Sequence, residues 1–61
     1  MKKYLFSFIG YNKAGERVIE DIRTDVPDDV EIVAVKEQFA MALEIEHECP
    51  FRCVEIREVT E

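Results

Sequence analysis

The feature that most constrains this chain is a pair of strand-like runs on either side of Asn12-Lys13-Ala14-Gly15. Residues 3–11 are rich in aromatic and branched side chains and short enough for one strand. Asn suits the first position of a type I turn, and Gly takes the left-handed conformation that closes it. The second run, Arg17–Thr24, brings Val18, Ile19 and Ile22. The pattern predicts an antiparallel β-hairpin. With a bulge at Gly15, Asn12 pairs with Glu16, and the register is then set for the whole hairpin. Tyr4, Phe6, Phe8, Val18 and Ile22 share one face. Leu5, Ile9, Tyr11 and Ile19 share the other with Ser7, Arg17, Asp21 and Arg23.

After the hairpin, Asp25-Val26-Pro27-Asp28-Asp29 reads as a helix approach, with Pro near the first turn and Asp as a capping residue. Asp28 and Glu31 have the spacing of a capping box. Ile32, Val35, Phe39, Ala42 and Leu43 recur at helical intervals and predict a helix over 28–48. The β-branched stretch Val30–Val35 also fits a short strand. The helical reading is preferred because the apolar stripe runs unbroken into Phe39 and Leu43. Pro50 disfavours helix at Cys49, so the helix ends near Glu48. Phe51–Thr60, with Cys53, Val54, Ile56 and Val59, reads as a third strand. The fold expected is α+β with ββαβ order: a three-stranded antiparallel sheet, order 2-1-3, with one helix on one face.

Sixty-one residues are expected to make a single small domain, 1–61. A domain of that size buries only about 60% of its unfolded surface, so its core is thin. Apolar residues are 48% and charged residues 36% of the chain, a globular mixture. The net charge of −6 argues against nucleic acid or an anionic membrane as the main partner. No apolar run approaches the ~18 residues of a membrane span. Lys2-Lys3 followed by Tyr4–Ile9 briefly resembles a signal peptide, but no small-x-small cleavage site follows. Two cysteines, Cys49 and Cys53, are too few for a secreted disulfide framework and read as reduced thiols in a cytoplasmic protein.

Chemistry-bearing motifs are sparse. His47, Cys49 and Cys53 lie close together, beside Glu46 and Glu48, and all are zinc-ligand types. Yet there is no Cys-x-x-Cys and no second ligand pair, so no metal is expected. The bland alternative has His47 exposed at the helix C-terminus, Cys49 as a helix-end residue and Cys53 as a small apolar core residue. A redox pair is disfavoured because Cys49 sits at the wrong end of the helix dipole. Gly10 and Gly15 lack the Lys-Ser or Lys-Thr of a phosphate loop, and Ser7 is mid-strand without a nucleophile elbow. No catalytic residue and no cofactor is expected, and the chain does not read as an enzyme.

One helix covers one sheet face. The face with two Phe and a Tyr is the better core, which leaves Leu5, Ile9, Tyr11 and Ile19 uncovered. Either Lys and Arg stems and third-strand side chains cover them, or they form a contact surface. The expectation is a small acidic protein-interaction module that self-associates through this surface, with a homodimer as the first form. One alternative is a metal- or thiol-dependent protein using His47, Cys49 and Cys53. Another is an acidic, phage-type inhibitor whose helix carboxylates dock on a basic nucleic-acid-binding protein.

Overall fold

In the computed structural model, which describes residues 1–60, the chain runs β1 (Lys2–Tyr11), β2 (Arg17–Val26), α1 (Ile32–His47) and β3 (Phe51–Glu58). The strands form one antiparallel sheet in the order β2-β1-β3. The expected α+β architecture, strand order and single helix are all present.

The hairpin follows its turn chemistry. Gly15 adopts φ 80° and donates its N–H to the Asn12 carbonyl at 2.9 Å. The Asn12 side-chain oxygen accepts from the Ala14 and Glu16 amides at 3.0 and 2.9 Å, so one side chain satisfies the inside of the loop. The Asn12 amide donates to the Glu16 carbonyl at 3.0 Å, and the register runs from there without a shift to Lys2 opposite Val26. β2 is two residues longer than its sequence pattern indicated, because Asp25 and Val26 still find partners in Lys3 and Lys2. β3 stops at Glu58 rather than Thr60, although the Val59 amide still donates to the Lys3 carbonyl at 2.8 Å.

The helix begins later than its sequence signals implied. Pro27 starts a separate turn, closed by the Val30 amide on the Pro27 carbonyl at 3.1 Å. Glu31, in extended geometry, is the N-cap, and its carbonyl is the first helical acceptor. No side chain caps this end, so the Asp28–Glu31 capping box does not form. Asp28 instead lies 3.6 Å from the chain's amino terminus. The physical reason is local competition: Pro with two following Asp residues closes its own turn before a helix can nucleate. At the other end, Glu48 takes the left-handed conformation, φ 57°, and turns the chain into β3.

The core lies between α1 and the even-numbered face of β1. Phe6 and Phe8 are fully buried, and Val26 and Leu43 close the cluster. Phe39 meets Phe6 edge-on at 5.6 Å between ring centroids, a favoured aromatic geometry. Tyr4, Ile22, Ile32, Val35, Ala40, Phe51 and Cys53 pack around them. Ala40, not Ala42, joins this stripe; Ala42 is exposed. Gly10 explains a close approach at the sheet's end. A Cβ there would stand 2.8 Å from the Pro50 carbonyl oxygen and 3.1 Å from the Phe51 ring, its cross-strand neighbour. Among the described residues, no helix is long and apolar enough to cross a membrane.

Candidate interaction surface

β1 is the central strand, so its odd-numbered side chains define the middle of the second sheet face. Among the described residues, no element packs over that face. Cross-strand neighbours assign its composition directly, since paired residues point the same way. Leu5 lies between Arg23 and Arg57, Ser7 between Asp21 and Glu55, and Ile9 between Ile19 and Arg52. Tyr11 lies beside Arg17 and Lys3 beside Asp25. Of the four apolar residues singled out from the sequence, Leu5 and Ile9 are half-buried between their neighbours. Tyr11 and Ile19 are 59% and 57% exposed. The structure therefore brings all four to one face and leaves two of them broadly open to solvent.

A feature of β3 changes what this face carries. Ser7 pairs with Glu55 but Phe8 pairs with Cys53, so Val54 is an extra residue in a β-bulge. The bulge reverses the alternation of the strand. Cys53 and Ile56 both come to the core side, opposite Phe8 and Phe6. Arg52 and Arg57 both come to the open side, opposite Ile9 and Leu5. In an unbroken strand, residues five apart would point to opposite faces.

As a result, every arginine in the chain, Arg17, Arg23, Arg52 and Arg57, sits on the open face. Among the described residues none of them forms an ion pair, in a chain with fourteen Asp and Glu. Asp21, Asp25 and Glu55 share the face with them. The helix has the opposite balance, with Glu37, Glu44 and Glu46 against a single lysine, Lys36. The sequence reading placed Arg17 and Arg23 here; Arg52 and Arg57 were missed because nothing in Phe51–Glu58 announces the bulge.

The His47, Cys49 and Cys53 cluster looks different in space. His47 is half-buried rather than exposed, with its ring 5.0 Å from the Phe51 ring and its Nε2 3.5 Å from a Glu20 carboxylate oxygen. Cys49 is buried at 5% exposure, and Cys53 is half-buried, its thiol donating to the Glu55 carbonyl at 3.4 Å. Both cysteines are free. Among the described residues, no three His, Cys, Asp or Glu side chains converge as a ligand set. Ser7 lies in the centre of the open face between two carboxylate-bearing residues, with no histidine among its cross-strand neighbours.

A second exposed apolar patch, absent from the sequence-based expectations, lies on the outer surface of α1. Met41 and Ile45 are 63% and 77% exposed. With Glu44, Glu48 and Cys49 they line an open depression of about 460 Å³ at the C-terminal end of α1. No protein-family model matches this chain, and neither curated proteins nor solved structures yield a match.

Proposed function

We propose that this protein works by protein–protein contact and self-associates through its open sheet face, with a homodimer as the smallest form. The supporting observation is the composition of that face: Leu5, Ile9, Tyr11 and Ile19 interleaved with arginines that form no ion pair among the described residues, and no described element over them. Tyrosine and arginine are enriched at the energetic centres of protein interfaces, and lysine is depleted. The molecule's two larger extents, 39 and 20 Å, bound a surface on the scale of the ~800 Å² per partner that a standard interface buries. A thin core gives an additional reason for a partner, since association stabilises whatever folded form it binds. Two free thiols fit a reducing, cytoplasmic setting.

Nucleic acid is a weaker candidate for the same face. Single-strand binders stack successive bases on several aromatic rings. Here Tyr11 is the sole aromatic side chain on the open side, and the other rings of β1 and β3 face the helix. The test is absolute mass by light scattering in reductant across a tenfold dilution. The expected mass is at or above twice the 7.2 kDa of the chain, falling on dilution. Tyr11→Glu or Ile19→Lys should return it to a monomer that stays folded. A wild-type mass of 7.2 kDa at every concentration overturns the proposal.

A further inference from the structure

The open face and the outer flank of α1 are opposite in charge and alike in form. On the sheet, Tyr11 and Ile19 are exposed among Arg17 and Arg52. On the helix, Met41 and Ile45 are exposed beside Glu44 and Glu48, around a depression of about 460 Å³. Among the described residues, Glu44 and Glu48 form no ion pair, and neither do the arginines. Each patch thus has an apolar centre and an unsatisfied charged rim, and the two rims are of opposite sign.

We infer that the surface of the second copy that covers the open sheet face is this acidic helix flank, Met41, Glu44, Ile45 and Glu48, rather than another open sheet face. The inference rests on the self-association proposed above and names its geometry. Sheet against sheet would bring a predominantly cationic surface onto its own copy. Sheet against helix flank brings opposite rims together, which favours encounter and penalises the wrong arrangement. Exposed tyrosine and arginine heads on one side match a shallow apolar depression with carboxylates at its edge on the other. The contact is heterologous: each pair leaves one sheet face and one helix flank unused, so assembly grows with concentration instead of stopping at a symmetric dimer.

The experiment uses two variants, each blocking one patch. Tyr11→Glu places a negative charge on the sheet face, and Ile45→Lys places a positive one on the helix flank. Met41→Lys serves as a second helix-flank variant, and circular dichroism checks that each is folded. The expected result is complementation. Each variant alone is monomeric at a concentration where wild type associates, yet an equimolar mixture forms a 1:1 complex that does not grow further. Raising salt from low to molar concentration should weaken that complex by about tenfold or more, because the rims are solvent-exposed. If Ile45→Lys and Met41→Lys associate like wild type while Tyr11→Glu does not, self-association stands and the helix-flank inference falls. A mixture of folded variants that stays monomeric also overturns it. A wild type that is monomeric throughout removes the underlying proposal instead.

Discussion

The two faces of β1 are built from the same kinds of residue and meet different fates. Phe6 and Phe8 are fully buried under α1, while Leu5 and Ile9, one position away, are half-buried on a face that no described element covers. Strand alternation sorts the side chains, but it does not say which set is buried. That is decided by the single helix, which delivers Phe39 and Leu43 to one side only. With one helix on a three-stranded sheet, the larger apolar set is buried and the smaller one, Leu5, Ile9, Tyr11 and Ile19, is left without a helix above it.

Substitutions on the two faces should differ most in cost. Phe6→Ala should cost about 3–5 kcal/mol, which is as much as a single small core supplies, so the variant should be unfolded at room temperature. Leu5→Ala, measured by urea denaturation at dilutions where the chain is monomeric, should cost about 1 kcal/mol or less. Equal losses at the two positions would mean that the open face is as well packed as the core.

The two glycines come next, since each has a different reason to be glycine. Gly10→Ala pushes a methyl group against the Pro50 backbone oxygen and the Phe51 ring, and should cost about 1–3 kcal/mol. Gly15→Ala meets nothing within 4 Å but must keep φ near 80°, and should cost about 1 kcal/mol. Urea midpoints of the two variants rank a steric cost at the core end against a conformational cost at the exposed turn. The reverse ranking would show that Phe51 can move off the sheet.

The helix end offers a gain rather than a loss. Glu48 is the one non-glycine residue with positive φ among the described residues, so Glu48→Gly should raise stability by a few tenths to about 1 kcal/mol. A decrease would show that the carboxylate contributes more than the backbone strain costs. Smallest in stability terms is Tyr11→Glu, expected within about 0.5 kcal/mol of wild type under monomeric conditions. A larger loss there would mean that Tyr11 is part of the fold and not free for a partner.

Much of this was legible in the chain. Asn12 and Gly15 specify the turn, the turn sets the hairpin register, and the register separates Phe6 and Phe8 from Leu5, Ile9, Tyr11 and Ile19. Ile32, Val35, Phe39 and Leu43 marked the helical stripe correctly. The helix start was misread because Asp28 satisfies the rules for a cap as well as those for a Pro-initiated turn, and the two compete over three residues. His47 was misread because its partners, Phe51 and Glu20, come from different strands.

The hairpin, the order of elements and the division of side chains between the two sheet faces follow from the amino-acid sequence alone, because local turn chemistry and periodicity set them. The tertiary structure decides which set the helix buries and what the open face carries. Arg52 and Arg57 share it because Val54 bulges out of β3 as that strand pairs with β1, and a bulge of one residue reverses a period of two. Pairing between strands far apart in sequence sets that position, so the gathering of every arginine on one surface appears only when the sheet is assembled.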